Sequence, residues 1–106
     1  MIENSGAPLL SIIGMDDSPD VLDLTRFAIS RARAAGKTNI THIEYPHTGH
    51  LIDPPFSPHC PVTKTPLSPP SMLTLFGGKP QEHALAQFHA WDRIKQFFHQ
   101  NLNIDA

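Results

Sequence analysis

The segment Pro8-Leu9-Leu10-Ser11-Ile12-Ile13-Gly14 is a short, nearly continuous apolar run closed by a glycine and acidic residues. Its length and branched side chains predict a strand over 8–14, covered on both faces as in a parallel sheet. Ser18-Pro19 then offers an N-cap followed by proline at the first helical position, with Asp20 in the first turn. Val21, Leu24, Ala28, Ala32 and Ala35 recur at helical spacing, and Gly36 stands where a C-cap belongs. These signals predict a helix over 18–36. Arg26, Arg31 and Arg33 fall largely off the apolar stripe and read as a solvated face. Ile40-Thr41-His42-Ile43-Glu44-Tyr45 predicts a second strand over 40–45, stopped by Pro46.

Strand, helix and strand over this length predict a βαβ unit with parallel strands. Beyond it the pattern lapses. Eight of the 11 prolines lie between Pro46 and Pro70, so 46–79 is expected to be a proline-rich loop with at most a turn of helix. Pro80 opens a final helix over 80–102, with Leu85, Phe88, Trp91, Ile94, Phe98 and Leu102 on one broad face. Trp91 and its phenylalanine neighbours read as core, and Gly77-Gly78 as the turn into that helix. The fold class expected is α/β, with parallel strands flanked by helices.

Composition narrows the function classes. The 106 residues suit one domain, and 40% hydrophobic residues permit a packed core. A formal charge of −2 gives no electrostatic reason to expect nucleic acid or an anionic membrane as partner. The lone Cys60 excludes an intrachain disulfide. No apolar run is long enough to span a bilayer, and the first residues carry Glu3 and no cation, unlike a signal peptide. The ending Asn103-Ile104-Asp105-Ala106 is not a peroxisomal address. An intracellular, cytoplasmic protein is expected.

A βαβ unit sets the C-terminal ends of its two strands side by side, where α/β folds build their sites. Gly14-Met15-Asp16-Asp17 leaves the first strand and Tyr45-Pro46-His47-Thr48-Gly49-His50 the second. A carboxylate after one strand and an imidazole after the next make a candidate Asp–His couple, in which the acid fixes the ring tautomer and stabilises the imidazolium. Two plainer readings compete. Asp17 beside Ser18-Pro19 also suits the start of a helix, and His50 is one of seven histidines. His42, His47, His50, His59 and Cys60 crowd one region and are zinc-ligand types, but their spacing matches no metal-binding pattern. No metal and no cofactor are expected.

Particular residues carry a resemblance. Tyr45-Pro46-x-Thr48-Gly49-His50-Leu51-Ile52-Asp53-Pro54-Pro55-Phe56, followed by Cys60, resembles the catalytic-histidine segment of the type I acyl-CoA thioesterases and bile acid-CoA:amino acid N-acyltransferases. Gly77-Gly78-Lys79-Pro80-x-x-His83-Ala84-x-Ala86-Gln87 with Trp91 resembles the same family's last loop and helix, and Gly14-x-Asp16-Asp17 its acidic motif. The resemblance runs from about Pro8 to Leu102. It departs at Asp53 and Phe56, where Glu and Tyr are commoner in the family.

The resemblance implies a partial C-terminal α/β-hydrolase domain and a nucleophile–Asp–His triad. It assigns His50 as the triad histidine and Asp17 as its acid, with Asp16 as the alternative. It also implies acyl-CoA as the substrate of the complete enzyme. Hydrolase triads run in chain order nucleophile, acid, histidine, with the nucleophile at a Gly-x-Ser-x-Gly elbow. These 106 residues contain no such elbow; Ser5 and Ser11 have the wrong context and Cys60 follows the histidine. The chain alone is therefore expected to be inactive. The alternative from a different class is a non-catalytic interaction or regulatory module, joined to a protein partner or to itself through unpaired strand edges.

Overall fold

A computed structural model describes residues 2–63 and 73–102 of the chain. The part of the expected proline-rich loop at 64–72 lies outside the described residues. A 3-10 turn at Ile2–Asn4 leads into β1 (Leu9–Gly14), α1 (Pro19–Ala34) and β2 (Ile40–Tyr45). Two short strands, β3 (Val62–Thr63) and β4 (Thr74–Leu75), precede α2 (Pro80–Leu102). β1 and β2 are parallel, in the register Leu9 opposite Ile40 through Gly14 opposite Tyr45. The architecture of the described residues is α/β: a two-stranded parallel sheet with two α-helices. β3 and β4 form a separate antiparallel pair inside the region expected to be loop.

Successive residues of a strand face opposite ways. Glu44 meets Arg26 on α1, whereas Tyr45 meets His89 on α2, so the helices cover opposite faces of the sheet. Among the described residues the buried apolar side chains are few: Ile13, Ile29, Ala32, Ala86 and Ala90. β1 is buried only at Ile13 and Gly14, not along its length, because a two-stranded sheet is too narrow to be sealed from both sides.

The helix faces also differ from expectation. α1 buries Ile29 and Ala32, while Leu24 is 67% and Phe27 64% exposed. α2 buries His83, Ala86, Gln87 and Ala90, a stripe at positions i, i+3, i+4 and i+7. The broad apolar face with Leu85, Phe88, Trp91, Phe98 and Leu102 stays exposed. Trp91 is thus not core. It lines a groove with Pro54, Pro55, Phe56 and Phe88, where the Phe56 and Phe88 rings meet edge to face at 5.2 Å. Small residues let α2 approach closely, and that choice won over total hydrophobicity.

Local chemistry explains the ends of α1. Pro19 does open the helix, but the Ser18 side chain makes no capping bond. Ser18 N–H instead donates to Asp17 Oδ1 at 2.7 Å. At the other end Gly36, with φ of 95°, donates its N–H to Arg33 O while Lys37 N–H reaches Ala32 O. That is a Schellman ending, and it needs the left-handed backbone glycine adopts without strain. The Lys37 side chain is buried and its Nζ donates to Ser5 O at 2.8 Å and Ala7 O at 2.6 Å, tying the N-terminal segment to α1.

Arg26 is not simply solvated. Its Nε and Nη2 donate to the two Glu44 carboxylate oxygens at 2.7 and 2.8 Å. Arg26, and then His42 at 3.0 Å, hold the Glu44 carboxyl down from its usual 4.5 to about 2. A carboxyl that releases its proton more readily when folded adds stability that is complete above the unfolded value and fades below it. The melting-temperature gap between wild type and Glu44→Gln is therefore expected to be constant above about pH 4.5 and to close as pH falls towards 2. A gap that widens on acidification would contradict the pairing. The gap is small, because both partners keep contact with solvent.

Candidate active site

The ends of β1 and β2 are stitched together beyond the ladder. Met15 N–H donates to Tyr45 O at 2.8 Å, and Asp16 N–H to Thr48 O at 2.9 Å. Asp17 N–H then turns back to Gly14 O at 3.2 Å. These bonds carry the chain from β1 directly under the loop that leaves β2. The site follows from parallel pairing: both strands end at the same edge, and both loops emerge together.

Asp17 and His50 meet there. His50 Nδ1–H donates to Asp17 Oδ2 at 2.6 Å, and Asp17 Oδ1 accepts from Ser18 N–H, so both carboxylate oxygens are occupied. The Asp17 side chain is 7% exposed and that of His50 47%. The acid is enclosed and the ring reaches solvent. In the neutral ring with its proton on Nδ1, facing the carboxylate, Nε2 carries a lone pair, the form a general base requires. Both residues line a 550 Å³ groove along β1 and α1, with Val21, Leu24 and Ala28 on its wall. Asp16 offers only its backbone to this loop: its N–H goes to Thr48, and no side-chain bond joins it to His50.

Residues distant in sequence complete the setting. His50 N–H donates to Phe76 O at 2.7 Å, and the His50 and Phe76 rings stack with centroids 5.6 Å apart and planes 17° from parallel. Phe76 is held in turn by its own N–H to Pro61 O at 2.7 Å. Gly77 and Gly78 follow with φ of 72° and 95°, so the expected turn into α2 is also the floor beneath His50. Lys79 N–H donates to His47 O, fastening that turn to the β2 loop. Nothing in the periodicity pointed to Phe76. The adjacent Gly77-Gly78 was its one signal.

The zinc-ligand types part company. His42 bonds Ser11 Oγ and Glu44, His59 Nε2–H donates to Gly77 O, and Cys60 Sγ points to Val62 O at 3.7 Å. Among the described residues no three His, Cys, Asp or Glu side chains gather at metal-binding spacing. Tyr45 pairs its hydroxyl with His89 Nδ1 at 2.5 Å, and burial pushes that phenol up from its ordinary value of 10. No helix among the described residues is long and apolar enough to cross a membrane.

Comparison with known proteins gives a consistent outcome. The sequence model of the family described as BAAT / Acyl-CoA thioester hydrolase C terminal matches residues 1–104. Acyl-coenzyme A thioesterase 6 of Homo sapiens is 38% identical over 103 residues, covering 96% of this chain and 24% of that protein. Bile acid-CoA:amino acid N-acyltransferase of Mus musculus is 36% identical over 102 residues, covering 95% of this chain and 24% of that protein. Acyl-coenzyme A thioesterase 5 of Mus musculus is 37% identical over 105 residues, 98% of this chain and 24% of that protein. The chain thus spans about a quarter of the length of the relatives it matches.

Proposed function

This chain belongs to the family described as BAAT / Acyl-CoA thioester hydrolase C terminal, and on that premise we propose that it supplies the acid and the base of a nucleophile–Asp–His triad for acyl-CoA thioester cleavage. The observation that carries the reading is the 2.6 Å hydrogen bond from His50 Nδ1–H to the enclosed Asp17 carboxylate. A nucleophile that these 106 residues do not supply attacks the thioester carbonyl while His50 Nε2 removes its proton. Asp17 stabilises the imidazolium so formed. Collapse of the tetrahedral oxyanion breaks the C–S bond, and His50 returns the proton to the departing thiolate. Water or an amine then gives its proton to Nε2 and attacks the acyl-enzyme. The acid or the amide leaves, and the proton returns to the nucleophile.

On this reading the chain by itself turns over no long-chain acyl-CoA. The purified chain is expected to release free thiol no faster than its His50→Ala variant. Turnover by the chain that His50→Ala abolishes would refute the need for an outside nucleophile. The same preparation addresses the interaction-module reading, which the exposed Leu24 and Phe27 favour. Self-association through those side chains and the edge of β1 that no described strand pairs raises the sedimentation coefficient with concentration. A coefficient that stays monomeric removes it.

A further inference from the structure

The buried His83, on the first turns of α2, takes no part in the chemistry just described, yet it touches the main chain on both sides of His50. Gly49 N–H donates to His83 Nδ1 at 3.0 Å, and His83 Nε2–H donates to Leu51 O at 2.7 Å. One ring therefore satisfies a donor before the histidine and an acceptor after it. Only the neutral ring with its proton on Nε2 can make both bonds. His83 is 2% exposed, so either main-chain group would be left without a partner if the ring were removed.

The ring is itself immobilised. His83 N–H continues the helix to Lys79 O at 2.8 Å. Its face lies against His59, with centroids 4.7 Å apart, and His59 Nε2–H donates to Gly77 O at 3.1 Å. One turn later Gln87 Nε2 donates to Ser57 O at 3.3 Å, a bond between the same helix and a part of the loop remote from His50. The hydrogen bonds that His83 and Gln87 make to this loop are thus separable.

We infer that His83 is a positioning residue for the Asp17–His50 couple: by gripping Gly49 and Leu51 it sets the backbone of His50 so that Nδ1 falls opposite the Asp17 carboxylate. The inference rests on the proposed role of that couple. A hydrogen bond of 2.6 Å tolerates little displacement of either end. Asp17 is fixed locally by Ser18 N–H, whereas His50 sits in an irregular loop whose own bonds are those of Ile52 N–H to His50 O and of Thr48 Oγ1 to Pro46 O. His50 N–H to Phe76 O restrains one point, and His83 restrains the two peptide groups on either side.

The test is the tautomer of His50, read from the ring 15N shifts of the whole chain above the pH of imidazole protonation. A histidine without a directing acceptor spreads over both neutral forms, whereas Asp17 selects the Nδ1–H form. Wild type is expected to show that form, and Asp17→Ala to lose it. His83→Phe keeps an aromatic ring, somewhat larger than the imidazole, and removes both bonds, and should lower the Nδ1–H fraction by roughly half or more. His83→Gln, with one donor and one acceptor, should retain most of it. Gln87→Ala should lower the melting temperature and leave the tautomer unchanged, which separates positioning from general support.

An unchanged tautomer in a folded His83→Phe overturns the inference and leaves the Asp17–His50 couple standing. A wild-type His50 that lacks the Nδ1–H form overturns the couple itself, and the inference with it. If His83→Phe does not fold, wild type decides. A 15N–15N coupling across the hydrogen bond from the Gly49 amide to His83 Nδ1 is expected, and its absence sinks the proposal.

Discussion

Grafted in place of the matching segment of a full-length acyl-CoA thioesterase relative, residues 1–104 are expected to restore thioester hydrolysis. His50→Ala in that graft should then lower kcat by about 10⁵-fold. The size follows from what the imidazole does twice. It removes a proton as the nucleophile attacks and delivers one as the thiolate departs, so both half-reactions lose their proton carrier. Asp17→Asn should cost about 10³- to 10⁴-fold. The amide presents an N–H where His50 Nδ1–H needs an acceptor, so it favours the wrong tautomer and cannot offset the imidazolium charge. Asp16→Asn is the internal control. Its side chain makes no bond to His50, so the loss should stay within about tenfold. KM should change little in all three, because the charge they handle develops only beyond the ground state. A larger loss from Asp16→Asn than from Asp17→Asn would move the acid to the other residue. Retention of most activity in His50→Ala would remove the triad reading.

The parts legible in the sequence were those set by local rules. The six-residue apolar run of β1, proline at the start of α1 and of α2, and Gly36 at the end of α1 each leave a signal within a few positions. The meeting of Asp17 with His50 was also legible, because parallel strands must end at one edge and both residues lie just past those ends. What escaped depends on contacts across the loop. Which side of α2 turns inward was decided by the small Ala86 and Ala90 and by the bonds of His83 and Gln87, not by hydrophobic weight. A histidine at a helix start looks the same in sequence whether it is solvated or grips two peptide groups. The pairing of Arg26 with Glu44, 18 positions apart, likewise needs the crossover to be known before it can be read.

Among changes to the scaffold, Gly49→Ala is expected to be strongly damaging, and for a reason of space alone. A Cβ at Gly49 would collide with the carbonyl oxygens of Gly77 and Phe76, both main-chain atoms. Neither can yield freely. Phe76 and Gly77 both donate their N–H to Pro61 O, and the Phe76 carbonyl is the acceptor for His50 N–H. Relief therefore requires breaking the bonds that hold His50 or those that hold its floor. The loss should be about 3 kcal/mol, within the range of overpacked cores and broken buried hydrogen bonds. Two other glycines calibrate the figure. At Gly6 an added Cβ meets nothing, so Gly6→Ala should fall within about 0.5 kcal/mol of wild type. At Gly36 the space is also open, but φ is 95°, so Gly36→Ala isolates left-handed strain at about 1 kcal/mol. Chemical denaturation of the three variants tests the order. If Gly49→Ala cost no more than Gly36→Ala, the 76–78 turn would have room to move, and the close packing assigned to the floor of His50 would be wrong.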